Sequence, residues 1–284
     1  MEVIVAKSAG FCFGVQRAVD TVYSEVESGK KIYTLGPIIH NDRVVSDLAD
    51  KGVTVIDDIK DVSRLGDGTI IIRSHGISKD AEEELNASHL KVVDATCPFV
   101  KKIHRIVEKS SSEGKHVVVI GSRDHPEVIG IIGWCSKDNP ATVIENEKEA
   151  HDFSVEDDRE ITVVSQTTFR LGKFQELVDI LRKKGYNVDV VNTICNATAK
   201  RQEEAEKIAS EVDMMIVIGD SKSSNTQKLY EICTRECKCT IHVQTKDNLE
   251  AGQIRPLRRV GITAGASTPK KIIEEVQNYV RINF

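Results

Sequence analysis

The chain has 284 residues, of which 40% are hydrophobic and 29% are charged, and its formal net charge is -5. That composition is typical of a globular protein, and the lack of a basic excess argues against nucleic acid or an anionic membrane as a partner. No apolar run approaches the roughly 18–20 residues that cross a bilayer, and the N-terminus has no basic segment typical of a signal peptide, so a cytoplasmic protein is expected.

The first predicted elements are an apolar strand and, after a cysteine, a helical pattern. The same order occurs three times, in the segments GFCFGVQRAVDTV, ATCPFVKKIHRIV and TICNATAKRQEEA. Such self-similarity indicates repeated structural units. Each segment also has a basic residue five positions after its cysteine. The repeats consist of Glu2–Ala6 with Cys12 and Arg17, Leu90–Val93 with Cys97 and Lys102, and Val188–Val191 with Cys195 and Lys200.

Further strands alternate with helices along the whole chain. Apolar strands that lead through a polar turn into a helix occur in TIIIRSHGISKD, VVVIGSRDHPEV, TVVSQTTFRLGK, MIVIGDSKSSNT and GITAGASTPKKI. This alternation predicts an α/β fold with parallel sheets. The predicted division is three α/β units, 1–96, 97–193 and 194–284, related by a pseudo-threefold axis. The N-terminal strand is expected to complete the sheet of the third unit.

The three repeat cysteines are the strongest candidates for a metal centre. In parallel α/β sheets, ligands bind beyond the carboxyl ends of the strands, so three related units around one axis would bring Cys12, Cys97 and Cys195 together at the centre. Thiolates near helix N-termini are stabilised by backbone N–H groups and the helix dipole. Three cysteines suit an iron–sulfur cluster with one open iron, or zinc with an open fourth position. The competing interpretation is three buried structural cysteines.

The remaining cysteines provide a weaker alternative. The chain has seven cysteines and no recognisable export signal, which argues against a disulfide framework. The segment CTRECKC, with Cys233, Cys237 and Cys239, resembles a cluster-binding motif. It runs from a predicted helix end into a predicted strand, so its side chains change direction and three convergent ligands are hard to arrange. Cys135 is interpreted as a core or partly buried residue.

Histidines, hydroxyls and one amide at strand–helix turns indicate an anion pocket. Imidazoles, hydroxyls and helix N-termini together suit a phosphate or a diphosphate. The chain has neither a Walker loop nor a G-x-G-x-x-G segment, so a bound nucleotide is not predicted. A single histidine at such a turn is structural as often as it is functional, but three histidines at equivalent turns favour a binding site. The candidates are His40, His75, His125, Thr167, Thr168, Ser223, Ser224, Asn225 and Ser267.

Glu127, in the segment HPEV, is an acidic residue in the same set of loops. A carboxyl group beside a cluster and a diphosphate could be held protonated by these anionic surroundings and serve as a proton donor. The alternative role is that of a carboxylate at a helix start that interacts with the helix dipole.

The motifs GFCFGV, HN, SHG, ATCP, HPEV, SQTT, IC, SSN and TAGAS together resemble the 4-hydroxy-3-methylbut-2-enyl diphosphate reductase family, from Gly10 to about Val276. Each motif is weak alone, but the set in this order and spacing is highly specific. The resemblance implies the last step of the non-mevalonate isoprenoid pathway. In that step an allylic diphosphate loses its hydroxyl by gaining two electrons and two protons, and isopentenyl and dimethylallyl diphosphates are formed.

The resemblance also implies a cofactor, partners and roles for individual residues. The cofactor is one [4Fe–4S] cluster per chain with an open fourth iron, held by Cys12, Cys97 and Cys195, and the three α/β units surround it. Glu127 corresponds to the family's proton-delivery residue, with Thr167 beside the hydroxyl end of the substrate. The electron donor is a ferredoxin or a flavodoxin, and a monomer without nucleic-acid or membrane partners is expected. The diphosphate pocket corresponds to His40, His75, His125, Ser223, Ser224, Asn225 and Ser267, and His125 is assigned to catalysis as well.

Two other functions fit these residues less well. Quinolinate synthase also has three α/β units around an open-iron cluster, but it catalyses a carbon–nitrogen condensation and the order of the motifs fits the reductase better. A non-enzymatic iron–sulfur carrier or sensor would normally use four protein ligands, and the repeat provides three. Substrate-dependent oxidation of a reduced dye separates the reductase from quinolinate synthase.

Overall fold

The structure, a computed structural model, describes residues 1–155, 159–249 and 257–283. Strands and helices alternate through these residues. The strands are β1 (Glu2–Val5), β2 (Ile32–Leu35), β3 (Val53–Ile56), β4 (Thr69–Ile72), β5 (Lys91–Asp94), β6 (His116–Ile120), β7 (Thr142–Ile144), β8 (Ile161–Ser165), β9 (Val188–Val190), β10 (Met214–Ile218), β11 (Thr240–Val243) and β12 (Arg259–Ala264). The helices are α1 (Phe13–Val26), α2 (Asp42–Asp50), α3 (Lys79–Asn86), α4 (Pro98–Ser112), α5 (Pro126–Ile132), α6 (Glu147–Asp152), α7 (Leu171–Lys183), α8 (Asn196–Glu211), α9 (Ser224–Glu236) and α10 (Lys270–Asn283).

These strands form three parallel four-stranded sheets, in the orders β3-β2-β4-β5, β7-β6-β8-β9 and β11-β10-β12-β1. The strand order is the same in all three sheets if β1 is taken as the fourth strand of the last one. The predicted α/β class with three sets of parallel strands is therefore confirmed, and the repeat seen in the sequence is a repeat of sheet topology.

The fourth strand of the last sheet comes from the other end of the chain. Strand β1 pairs with β12 in parallel, from Glu2 opposite Arg259 to Val5 opposite Ile262. The pairing continues one residue further, since the Ala6 N–H donates to the Ile262 carbonyl over 2.8 Å. Each repeat cysteine consequently follows the fourth strand of a sheet: β1, β5 or β9.

By the density of its internal contacts the chain divides into two compact units. Unit 1 consists of residues 1–16, 39–47 and 196–284, and it contains the sheet that includes β1. Unit 2 consists of residues 17–38 and 48–195 and contains the other two sheets. The three-unit division with boundaries after residues 96 and 193 stays a prediction.

In unit 2, the sheet around β6 and β8 has helices on both faces. Alternate side chains of a strand point to opposite faces. Val117, Val119 and Val164 pack against α4 and α5, whereas Val118 and Val163 pack against α6 and α7. Helices α4 and α7 therefore lie on opposite faces of this sheet. Such two-sided burial explains why the strands read as continuous apolar runs.

In unit 1, the same alternation separates two helical layers. Met215 and Val217 of β10 face α8 and α9, and Ile216 and Ile218 face α10. Complete burial of each such side chain contributes about 1.5–3 kcal/mol to folding, before the opposing entropy is counted. None of the helices in the described ranges is both long and apolar enough to cross a lipid bilayer.

Candidate functional site

The polar residues picked out in the sequence follow the central strands of the sheets. The central strands of the three sheets are β2 and β4, β6 and β8, and β10 and β12, and the direction of strand addition reverses between them. Ligands of open α/β sheets bind beyond the carboxyl ends of such strands. The six loops carry His40 after β2, His75 after β4, His125 after β6, Thr167 after β8, Ser223 after β10 and Ser267 after β12. The segment after β2 leaves unit 2, so His40 belongs to unit 1.

Cys12 lies in unit 1 directly before the first residue of α1. Its N–H donates to the Ala266 carbonyl over 3.2 Å, and its carbonyl accepts the N–H of Gln16 over 2.9 Å. Gly10, two residues earlier, has φ +102°, and a Cβ there would lie 3.2 Å from Ile273 Cδ1. Only glycine takes this conformation without strain, so the turn that presents Cys12 requires Gly10.

Cys97 and Cys195 occupy equivalent positions in unit 2. Each directly precedes the first residue of its helix, α4 or α8. The Cys97 N–H donates to the Ser74 carbonyl, and the Cys195 N–H donates to the Thr167 carbonyl, both over 3.0 Å. Each cysteine is thus attached by its backbone to the loop after the neighbouring third strand. All three repeat cysteines are half-buried and free of disulfides, so the donor set is chemically suited to an iron–sulfur cluster.

The basic residues of the repeat have different environments. The Arg17 guanidinium donates to the carbonyls of Thr96 and Asp94, over 3.0 and 3.2 Å, and so braces the segment that ends at Cys97. Lys102 and Lys200 are exposed on their helices. The three basic residues therefore occupy equivalent positions in the sequence but do not make the same contact.

The Glu127 carboxylate is bound through both oxygens by Thr167. Its Oε1 accepts the Thr167 N–H over 2.6 Å, and its Oε2 accepts the Thr167 hydroxyl over 2.8 Å. Only 3% of Glu127 is exposed, and this burial raises the pKa of its carboxyl, although the two bonds from Thr167 oppose the rise. Since the Thr167 carbonyl accepts the Cys195 N–H, one residue connects a buried carboxyl to a repeat cysteine.

His75 and His125 lie together in unit 2. Their rings meet edge to face, with 5.5 Å between the centroids. His125 is the N-cap of α5, and its Nδ1 accepts the Glu127 N–H over 3.1 Å. The neutral ring therefore carries its proton on Nε2, which makes this atom a hydrogen-bond donor. The same short segment positions an imidazole donor and a carboxyl group.

In unit 1, hydroxyls and an amide surround the N-terminus of α9. Ser223 caps this helix and lies 3.4 Å from the Ser267 hydroxyl, and Ser224 follows it, half-buried. Asn225 is 3% exposed, and neither its Oδ1 nor its Nδ2 has a hydrogen-bond partner among the residues that the structure describes. A buried amide without a partner is costly, so this amide is available to a ligand. A helix N-terminus lined in this way suits an anion.

Two glycines allow α9 to approach the sheet so closely. A Cβ on Gly219 would lie 2.4 Å from Thr226 Oγ1, and one on Gly265 only 2.1 Å from the same atom. Both glycines directly follow the central strands β10 and β12. Side chains at these positions would push the first turn of α9 away from the strand ends, together with Ser223 and Asn225.

One contact within the candidate site, between Asn41 and Ser267, was not predicted from the sequence. Asn41, which is 5% exposed, donates from Nδ2 to the Ser267 carbonyl over 2.9 Å, while its Oδ1 caps α2 at the Val44 N–H over 3.0 Å. It thereby fixes the loop that carries Ser267. The dipeptide HN was the available signal, but 226 residues separate Asn41 from Ser267, and no local pattern encodes such a pairing.

The three cysteines of the segment CTRECKC do not share one environment. Cys233 and Cys237 belong to the apolar core beneath α8 and α9, with sulfurs 3.9 and 3.7 Å from the Ala205 and Val212 carbonyls. Burial, with a contribution from the neighbouring Cys237, raises the pKa of Cys233 to about 12. Cys239 is exposed. A thiol such as that of Cys233, held protonated in an apolar core, is a poor metal ligand.

The chain matches a family model described as "LytB protein" over residues 3–281. A 4-hydroxy-3-methylbut-2-enyl diphosphate reductase from Alkaliphilus oremlandii is 46% identical over 279 residues, which cover 97% of this chain and 98% of the relative.

Two solved structures are also similar. The E-1-hydroxy-2-methyl-but-2-enyl-4-diphosphate reductase from Plasmodium falciparum matches with a TM-score of 0.91 and 30% identity, over 99% of this chain and 87% of that one. A structure of (E)-4-hydroxy-3-methyl-but-2-enyl diphosphate reductase, described as the terminal enzyme of the non-mevalonate pathway, matches with a TM-score of 0.70 and 42% identity, over 99% of both chains.

Proposed function

This chain belongs to the LytB protein family, and on that premise we propose that it catalyses the reductive dehydroxylation of 4-hydroxy-3-methylbut-2-enyl diphosphate. It is an oxidoreductase of the non-mevalonate isoprenoid pathway. Two electrons and two protons are consumed, the allylic carbon–oxygen bond is broken, and the hydroxyl leaves as water. The products are isopentenyl diphosphate and dimethylallyl diphosphate, which differ in the carbon atom that receives the second proton.

The observation that carries this proposal is the connection from Glu127 through Thr167 to Cys195. A buried carboxyl with a raised pKa retains its proton at a higher pH than an exposed one, as a general acid requires. The Thr167 hydroxyl lies 2.8 Å from this carboxyl and is the group through which a proton can pass towards the substrate. Expulsion of a hydroxide is unfavourable unless it is protonated, so an acid at this point accounts for the release of water.

Cys12, Cys97 and Cys195 are assigned as the three protein ligands of a [4Fe–4S] cluster. Their free thiols and their positions at helix N-termini support this assignment. When bound, such a cluster supplies the electrons and a Lewis-acidic iron for the substrate hydroxyl. The backbone bonds of Cys97 to Ser74 and of Cys195 to Thr167 hold these two ligands in place independently of the cluster.

Diphosphate binding is assigned to the residues that the family resemblance implies. In unit 2, His125 donates from Nε2, since its Nδ1 is occupied by the Glu127 N–H, and His75 lies beside it. In unit 1, the residues assigned to diphosphate binding are His40 and the groups around the N-terminus of α9. These groups and the positive end of α9, a helix of 13 residues, together favour a small, highly charged anion such as a diphosphate. The residues of unit 1 are His40, Ser223, Ser224, Asn225 and Ser267.

The proposal extends to the setting of the reaction. The electrons come from a one-electron carrier protein such as a ferredoxin or a flavodoxin, and the enzyme works as a monomer in the cytoplasm. Its test is the reaction itself, with protein purified without oxygen and a reduced viologen dye as electron source. Oxidation of the dye that depends on the allylic diphosphate, with both isomeric products formed, is the expected result. A protein with an intact cluster that oxidises no dye with this substrate would overturn the proposal.

Asn225→Ala is expected to raise the KM for the diphosphate substrate by about tenfold or more, because a hydrogen bond to a charged group contributes about 1.5–3 kcal/mol. It is not expected to lower the melting temperature, because the variant removes a buried amide that has no partner in the described chain. Steady-state kinetics and thermal unfolding measure the two effects.

Asn41→Ala is the matched control for that variant. Both polar ends of Asn41 are bonded within unit 1, so its loss is expected to reduce the free energy of unfolding by about 1–3 kcal/mol. If Asn225→Ala were as destabilising as Asn41→Ala and left the KM unchanged, the Asn225 amide would be a structural group instead.

A further inference from the structure

Phe99 is an exposed aromatic residue close to a cluster ligand. It lies in the first turn of α4, two residues after Cys97, and 46% of its surface is accessible. Among the phenylalanines that the structure describes, only Phe13 and Phe99 are exposed to this degree, and Phe13 directly follows Cys12. A large apolar side chain in water contributes nothing to the core. Single exposed apolar residues are common on protein surfaces, so the significance of Phe99 depends on the residues around it.

A row of cations continues from Phe99 along the same face of α4. Lys102, Arg105 and Lys109 follow at steps of three, three and four residues, which places them on one side of a helix, and all three are exposed. Lys102 and Arg105 form no ion pair with any residue in the described ranges, and Lys109 lies 3.7 Å from Glu113. We call Pro98, Phe99, Lys102, Arg105 and Lys109 the α4 face.

The surroundings of the α4 face carry little net charge. On another side of the helix, Lys101 is paired with Asp94. An open groove of about 880 Å³ lies beside Arg105 and Lys109. Its charged groups include the pairs of Lys79 with Glu108 and of Lys137 with Asp80, and the Glu83 carboxylate, which has no ion pair among the described residues. The unpaired cations Lys102 and Arg105 on α4 outnumber Glu83, so the local excess of charge is positive, although the chain as a whole has a net charge of -5.

From these observations we propose that the α4 face is the docking surface for an acidic one-electron carrier protein of the ferredoxin type. Weak electron-transfer encounters use small interfaces, with aromatic and arginine contacts at the centre and charges that steer the approach. The face has this composition, and the helix that carries it begins directly after Cys97. It offers no enclosed cavity for a small anion, and its few cations form too short a row for nucleic acid.

This inference rests on the proposed function, because that reaction requires an external source of electrons. Each reduced carrier gives up one electron and becomes oxidised, whereas each dehydroxylation consumes two electrons and two protons and releases one water. Two successive docking events are therefore needed for every turnover. A surface that binds weakly and releases quickly suits this requirement better than a large, permanent interface.

The test compares three variants of the holoenzyme with the wild type: Lys102→Glu/Arg105→Glu, Phe99→Ala and, as a control, Arg182→Glu/Lys183→Glu. The control reverses two exposed charges in the last turn of α7, on the opposite face of the same sheet. The probe is a plant-type ferredoxin with one [2Fe–2S] cluster, which carries one electron. Its reduced form serves as electron donor for kinetics, and binding of its oxidised form is measured by calorimetry at low and high ionic strength.

The charge-reversal variant is expected to raise both the KM and the Kd for ferredoxin about tenfold or more at low ionic strength, and the difference from wild type is expected to shrink at high ionic strength. Phe99→Ala is expected to weaken binding at both ionic strengths. Turnover with a reduced viologen dye, and the KM for the diphosphate, should be unchanged in all variants. The control should bind ferredoxin like the wild type.

The outcomes separate the inference from the proposed function. If the wild type oxidises no dye with the allylic diphosphate, the proposed function fails, whatever the binding data show. If the dye-driven reaction is intact but the α4 variants bind and accept electrons from ferredoxin like the wild type, the docking surface lies elsewhere. Equal weakening by the α7 control would also overturn the inference, because it would show attraction by overall charge alone.

Discussion

Cys195→Ser is expected to abolish both the cluster and the reaction. Wild-type protein purified without oxygen should contain about four irons and four sulfides per chain, with a broad brown absorption. Cys195 is half-buried and its backbone bond to Thr167 does not involve the thiol, so the variant should keep the fold and lose most of the iron. Iron and sulfide analysis, the visible spectrum and far-ultraviolet circular dichroism measure these effects.

Cys239→Ser is the matched control, since Cys239 is an exposed cysteine outside the repeat. It should retain the iron, the colour and the turnover of the wild type. A colourless wild-type protein that contains zinc, or a Cys195→Ser variant with a full cluster, would contradict the three-cysteine assignment.

Glu127→Gln is expected to lower kcat by about 10²–10⁴-fold, the usual contribution of general acid catalysis. Glutamine has the same shape, and it can still accept the Thr167 N–H that Glu127 accepts over 2.6 Å. The cluster and the affinity for the substrate should therefore be retained. Steady-state kinetics, iron content and substrate binding distinguish loss of a proton donor from loss of the site.

The dependence on pH provides a second test of Glu127. Burial raises its pKa above the ordinary value of 4.5, and the protonated form is the proton donor. Wild-type kcat should therefore fall as the pH rises through the folded-state pKa, and Glu127→Gln should lack this limb. The free energy of unfolding should show a matching change, with the stabilisation present below pH 4.5 and lost as the pH rises through the folded-state pKa.

Glu82→Gln is the control for this carboxyl. Burial raises the pKa of Glu82 too, and it lies on α3 in the same unit, where its charged neighbours are Asp94, Lys101 and Glu108. Its loss should leave kcat and the pH profile of the reaction unchanged. If Glu127→Gln turned over the substrate as fast as Glu82→Gln, proton delivery would have to be assigned to another group.

Much of the architecture is encoded locally and could be predicted. Apolar strand segments alternate with helical segments of 3.6-residue periodicity, and this alternation specifies the elements. Glycines and small polar residues mark the turns between them. The cysteine before each of α1, α4 and α8 was visible for the same reason. The polar residues at strand ends followed from a general property of parallel sheets, whose ligands bind beyond the carboxyl ends.

What only the tertiary structure decided are the pairings between distant segments. The N-terminal strand was expected in the sheet of the third unit, but its partner β12 and its register depend on a core that its apolar side chains complete together with α10 and β10. The bonds from Thr167 to Glu127, which set the carboxyl in a buried site, join residues 40 positions apart. Asn41 and Ser267 meet across 226 positions. The sequence by itself determined the elements and the chemistry of their turns, because these depend on neighbouring residues, whereas partners and burial depend on how the whole chain packs.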